Sequence, residues 1–295
     1  MTRPSTLPPR REGRPAPTEL VETRAGYPES LPFAMRTDVT RSDEAVAGVD
    51  CIIFTPGDYR ATILYFHGGG YCGGSPTISA SYLSELAART GARVVGVRYG
   101  LAPEQPFPNG LHDGLAVLRE LASKGARDII FAGDSAGGGL ALSMALACRD
   151  TGEQMPSGLI LLSPWIDLTL AGESYQSRAE SDVLFSHEAA TIAAGHYLQG
   201  SDPAHPYASP LHADLTGLPP IQLFIGGHEI LLDEDLALAG KLARTGVTVE
   251  MHVAASAQHV WPMMFPDLPE SQRALRAIAT FVRETQTVPG GGAEI

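Results

Sequence analysis

The chain has 295 residues, 44 % of them hydrophobic and 18 % charged, with a net charge of −12. Such a composition excludes a disordered chain, and the negative balance argues against nucleic acid as a partner. Three widely spaced cysteines, Cys51, Cys72 and Cys148, form no CxxC pair, so neither a metal site nor a disulfide framework is expected, and a reducing cytoplasm fits.

The N-terminal stretch "MTRPSTLPPRREGRPAP" carries arginines with no apolar run behind them, so it does not read as a secretory signal. No stretch approaches a membrane span in length, and no membrane partner is expected. The first 18 or so residues, rich in Pro and Arg, and the tail "VPGGGAEI" are expected to be mobile. Between them, short apolar runs at 51–54, 61–66, 93–99, 128–133, 158–164, 221–227 and 247–253 read as strands. Several are apolar throughout, as in a parallel sheet covered on both faces. Helical spacing appears at 78–90, 109–125, 136–152, 233–246 and 269–285. The alternation predicts an α/β fold, a mostly parallel sheet flanked by helices. Residues 168–218 break the rhythm and include "SHEAATIAAGHYL", a helix with Ser186 as its N-cap. An insertion at that edge of the sheet would cover a site, and residues 20–48 could join it as a cap. The expected divisions are a mobile N-terminus with part of the cap (1–48), core (49–168), cap insertion (169–218), core (219–287) and a flexible tail (288–295).

The stretch "DIIFAGDSAGGG" sets a serine between a buried strand and a helix, in the pattern Gly133-Asp134-Ser135-Ala136-Gly137. A G-x-S-x-G turn is sharp enough to require small residues two before and two after the serine, and it pushes the hydroxyl out over the sheet. The following helix aims its first amides at the same point. Ser135 is therefore the expected nucleophile.

A serine hydroxyl needs a base. Of nine histidines, His259 lies after the last strand, where residues face the site of an open α/β sheet. His67 precedes three glycines and reads as a loop-orienting residue. His112, His187 and His196 fall on helices as ordinary surface or packed residues, and His205, His212, His228 and His252 have no supporting context. The acid should lie between serine and histidine in the chain. In "HEILLDED", Asp233 reads as an N-cap, with Glu234 and Asp235 in the first helical turn. That leaves Glu229, with Asp233 as the alternative. In "YFHGGGYCGG" (65–74), glycines after a buried strand let backbone amides approach an oxyanion.

The motifs "HGGGYCGG", "YGLAPEQPFP", "GDSAGGGLA", "SPWIDLT", "HEILLDEDLAL" and "HVWPMMF", in this order over roughly residues 60–285, resemble those of the hormone-sensitive-lipase-like (bacterial family IV) esterases. The resemblance implies an α/β-hydrolase fold with a helical cap built from the N-terminal segment and an insertion after the sixth strand. It implies a Ser135–Glu229–His259 triad, oxyanion amides from Gly69, Gly70 and Ala136, and no cofactor or metal. It further implies short- to medium-chain ester substrates, with lactones or acetyl esters as relatives' variants, and a homodimer edge at the last strand and helix. Gly100 stands where the family usually has arginine, which leaves Glu104 to find another partner. Tyr71, Phe185 and Trp261 are candidates to line the pocket, equally readable as packing. Cys72 reads as a small buried filler. Two other classes stay open: a non-hydrolytic enzyme (acyltransferase, lyase or cyclase) and a small-ligand binding protein on the same fold.

Overall fold

The apolar runs all become strands of one sheet. The computed structural model describes residues 3, 4 and 6–286; the expected flexible tail at 288–295 lies outside them. The elements follow in the order α1 (Thr18–Ala25), β1 (Thr40–Val46), β2 (Val49–Thr55), β3 (Ala61–Phe66), α2 (Ala80–Thr90), β4 (Arg93–Val97), α3 (Asn109–Ser123) and β5 (Asp128–Asp134). They continue with α4 (Ala136–Thr151), β6 (Gly158–Leu162), α5 (Ser174–Ser177), α6 (His187–Leu198), β7 (Ile221–Gly226), α7 (Leu232–Arg244), β8 (Val249–Ala254), α8 (Trp261–Met264) and α9 (Pro269–Glu284).

The eight strands lie in the order β1-β2-β4-β3-β5-β6-β7-β8. β1 and β2 pair antiparallel, β2 runs antiparallel to β4, and the pairings from β4 to β8 are parallel. Central strands are buried end to end, and their side chains divide between two cores. Leu64, Phe66, Phe131 and Leu161 face one side with α3, α4 and α7; Ile63, Tyr65, Ile130 and Ile160 face the other with α2 and α9. This is the period of two expected of strands covered on both faces.

Two differences from the sequence reading concern the N-terminal part. β1 belongs to the sheet although it lies within the segment assigned to the N-terminus and cap. It is an edge strand in which Val46 alone is buried, so it carries no apolar alternation to read. Residues 3, 4 and 6–16, expected to be mobile, form no helix or strand yet are laid along the core by their arginines. Arg3 pairs with Asp214 (2.8 Å) and Arg10 with Asp113 (2.6 Å). Arg11 donates to the carbonyls of Leu198 (2.9 Å) and Gln199 (2.8 Å) at the C-terminal end of α6. Among the described residues, no helix is long and apolar enough to cross a membrane.

Candidate active site

The turn between β5 and α4 has the geometry its composition demands. Ser135 sits at φ 53°, ψ −125°, a backbone conformation costly for any residue with a Cβ. A Cβ on Gly137 would collide with the carbonyl oxygens of Phe66 and His67, and one on Gly133 with the Gly137 carbonyl. The Ser135 N–H donates to Leu162 O (2.8 Å), and the Trp165 N–H to Ser135 O (2.9 Å), so the turn is tied to β6 and the loop after it.

Asp134, the residue before the serine, has a role beyond filling the turn. Its Oδ1 accepts from the Tyr65 hydroxyl (2.6 Å) and from the Gly68 N–H (3.0 Å), which joins the turn to the glycine loop. Burial pushes its carboxyl above the usual range, and these two donors draw it partly back.

The glycine loop follows β3. Gly69 and Gly70 have φ of 116° and 61°, values open to glycine at little cost. Among the described residues, the N–H groups of Gly69, Gly70 and Ala136 donate to no protein acceptor. His67 orients this loop: its Nδ1–H donates to Gly68 O (2.8 Å), its ring stacks on Tyr99 (4.4 Å between centroids), and burial lowers its pKa to about 4.

His259 and Glu229 meet at the ends of β8 and β7. His259 Nδ1 lies 2.7 Å from Glu229 Oε2. An ionised carboxylate only accepts, so Nδ1 carries the proton and Nε2 of the neutral ring is left as the acceptor. Burial alone would lower the imidazole's pKa, but the hydrogen bond and charge of Glu229, with Asp182 and Asp134 further off, raise it above the ordinary value. The other oxygen of Glu229, Oε1, accepts from the Gly226 N–H and from Ser163 Oγ (2.8 Å). Ser163, at the end of β6, also accepts from Val260 N (3.0 Å). Asp182 braces the loop before α6: Oδ1 accepts from Phe185 N (2.9 Å) and Oδ2 from Ile230 N (2.9 Å).

The alternative acid is placed elsewhere. Asp233 lies inside α7, whose N-cap is Leu231, and its Oδ2 accepts from Ser174 N (2.7 Å). Glu234, in the first turn of α7 as expected, is buried and accepts from Ile166 N (2.7 Å) and Tyr175 Oη (3.1 Å). Asp235 is fully buried with neither oxygen paired among the described residues.

Ser135 and His259 open onto one cavity of about 700 Å³, which Gly69, Gly70 and Phe185 also line. Leu20 and Thr23 of α1, Ile192, Ala193 and His196 of α6, and Val260 and Met264 complete much of its wall. His196, read from its helical position as ordinary, is thus a lining residue. Phe185 also stacks beside the His259 ring, with centroids 5.8 Å apart. Tyr71 and Trp261, candidates for the pocket that read equally well as packing, do not line the cavity. Tyr71 is buried against Tyr197 (3.9 Å, near-parallel rings), and Trp261 packs edge-on to Phe224 (6.2 Å). Cys72 borders the cavity but is mostly buried, and burial pushes its thiol up to about 12, so it holds no thiolate at neutral pH. Among the described residues, no three His, Cys, Asp or Glu side chains come together as a metal site requires.

A family model described as the alpha/beta hydrolase fold matches residues 63–263. The chain is 39 % identical over 224 residues to an acetyl-hydrolase of Streptomyces hygroscopicus, covering 75 % of each chain. It is 38 % identical over 222 residues to an esterase of Acinetobacter venetianus, covering 74 % of this chain and 73 % of that one. Among solved structures, EstE5 soaked with p-nitrophenyl butyrate matches with a TM-score of 0.85 and 36 % identity, over 95 % of this chain and 94 % of that one. An esterase of the bacterial hormone-sensitive lipase family matches with a TM-score of 0.83 and 36 % identity, over 90 % and 96 %. With its elbow serine, glycine loop and eight-stranded sheet, this chain belongs to the hormone-sensitive-lipase-like esterases of the α/β-hydrolase fold.

Proposed function

We propose that the protein is a serine carboxylesterase that cleaves short- to medium-chain esters through an acyl-enzyme. The observation that carries this reading is the 2.7 Å contact between His259 Nδ1 and Glu229 Oε2, with His259 and Ser135 opening onto one cavity.

Ser135 Oγ attacks the ester carbonyl while His259 Nε2 takes its proton. Glu229 holds the imidazole in the Nδ1–H tautomer and stabilises the cation that forms. Charge developing on the carbonyl oxygen is met by the N–H groups of Gly69, Gly70 and Ala136, each donor of this kind contributing on the order of 3 kcal/mol. The imidazolium returns its proton to the leaving alkoxide, and water, activated by the same base, releases the acid from Ser135.

Helices α1 and α6, with the segment between β6 and β7, form a cap over the cavity. Leu20, Phe185, Ile192 and Met264 give it the apolar wall an acyl chain requires. Small-molecule esters, including acetyl esters and lactones, are the proposed substrates. The free, buried Cys51, Cys72 and Cys148 agree with work in a reducing compartment.

The test is hydrolysis of p-nitrophenyl acetate, butyrate, octanoate and laurate by the purified protein, with Ser135→Ala alongside. The expected result is turnover greatest on the shorter chains and lost in the variant. A folded protein inert on all four, or a variant as active as the wild type, overturns the reading.

A further inference from the structure

Position 100 is glycine. Its N–H donates to Asp113 Oδ2 (2.8 Å), and a Cβ there would come within 2.7 Å of the Gln105 Cβ, so the backbone is seated where a larger residue does not fit. The neighbouring carboxylate, Glu104, finds its cation from another part of the chain. Arg24, on α1 and 80 residues away in sequence, donates Nη1 to Glu104 Oε1 (2.7 Å) and Nη2 to Oε2 (2.8 Å).

The same guanidinium reaches two backbone carbonyls. Nε donates to Cys72 O (2.7 Å) and Nη2 to Ala102 O (2.8 Å). Cys72 is two residues past Gly70, in a turn where the N–H groups of Cys72 (3.0 Å) and Gly73 (2.8 Å) both donate to Gly69 O. Ala102 in turn donates its N–H to Tyr71 O (2.9 Å). Arg24 therefore spans the junction of two loops, one of which carries Gly69 and Gly70. None of the eight residues of α1 is fully buried: Leu20 is partly buried against the core, and Val21 is 52 % exposed. A planar fork with fixed donors can bridge a carboxylate and two carbonyls at once, which a lysine cannot.

We infer that Arg24 is a positioning residue for the reaction: it fixes α1 over the cavity and holds the Gly69–Gly70 amides in their orientation toward it. The inference rests on the proposed role of those amides and adds a coupling between cap and glycine loop.

The test compares the full-length wild type with Arg24→Ala, Arg24→Lys and Glu104→Gln. Active sites are titrated with a serine-directed sulfonyl fluoride, so that kcat refers to competent molecules alone. Hydrogen exchange is followed over residues 17–27 and 69–74. Arg24→Ala is expected to lower kcat per titrated site about ten-fold on p-nitrophenyl acetate and to speed exchange in both segments. Arg24→Lys should recover a minor part of this loss. Glu104→Gln leaves the two carbonyl contacts in place and should lower kcat less than three-fold. Faster exchange confined to 17–27 with kcat unchanged, or full rescue by lysine, overturns the inference. Should the wild type turn over no ester, the hydrolase reading fails by itself, and the coupling is then decided by the exchange in 69–74.

Discussion

Ser163 Oγ donates to Glu229 Oε1 at 2.8 Å and accepts from Val260 N at 3.0 Å, so one hydroxyl joins the acid to the residue that follows the base. A hydrogen bond to a charged group contributes about 1.5–3 kcal/mol. Ser163→Ala should therefore lower kcat on p-nitrophenyl butyrate roughly ten-fold or more, at nearly constant KM. A rise in KM with kcat intact would mean that Ser163 shapes the cavity instead of the triad.

The raised pKa of His259 sets a pH dependence. The ring must be neutral to accept the Ser135 proton, so the acidic limb of kcat/KM should fall above pH 6.5, the ordinary value for histidine. Glu229→Gln removes the carboxylate that raises the pKa, leaving burial to lower it. The limb should move to lower pH while the rate falls on the order of 10,000-fold. For stability the sign is opposite to that of catalysis. The contribution from His259 is complete below the unfolded value and is lost as pH rises through the folded one. Urea unfolding at pH 5.5 and 8.5 should show Glu229→Gln losing more stability at the lower pH.

Strain at the elbow gives a third expectation. Ser135 holds φ 53°, ψ −125° with its Cβ in place, a cost of order 1–3 kcal/mol. Ser135→Gly should be inactive yet unfold at a higher temperature than the wild type. Ser135→Ala, which keeps the Cβ, should be inactive with little gain. Equal melting temperatures for the two variants would show that the turn carries no such strain.

Asp235 has both carboxylate oxygens unpaired and fully buried, beside the charges of Glu229 and Glu234. Burial, then these like charges, raise its pKa well above the ordinary value, so the folded protein holds this proton to higher pH than the unfolded chain does. Its contribution to stability is present below the unfolded pKa and declines as pH rises above about 4, at about 1.4 kcal/mol per unit. Asp235→Asn, which does not titrate, should match the wild type near pH 4 and exceed it increasingly toward pH 7 in chemical denaturation. A difference independent of pH would mean that the carboxyl is ionised in the folded protein.

The sheet was readable because β3, β6 and β7 bury every side chain, leaving apolar runs interrupted only by Thr62 and Gln222. The elbow was readable because only small residues fit beside Phe66 O and His67 O. Glu229 stands out among four acids by its place at a strand end, whereas Asp233, which reads as an N-cap, lies inside α7. An acid near a helix start reads as a cap unless a segment distant in sequence offers a better donor, as Ser174 N does. The wall of the cavity was the least legible part. α1 buries nothing and so leaves no periodicity, and Thr23 and His196 acquire their place from packing between segments more than 160 residues apart. Ser163 lay within a recognised motif, but only the register of β6 beside β7 brings its hydroxyl to the acid.

The arginines of the leading segment also impose an order on assembly. Arg3 must find Asp214, 211 residues later, and Arg11 must find Ser201, 190 residues later. On the ribosome the side chains of Arg3 and Arg11 wait until Asp214 and Ser201 have emerged, because contacts so distant in sequence cannot close sooner, whereas Arg10 can meet Asp113 much earlier. By then the serine turn and the glycine loop have long been synthesised. The floor of the cavity can thus take shape before its roof, and the last strand and base-bearing loop are added only after the leading segment is able to dock.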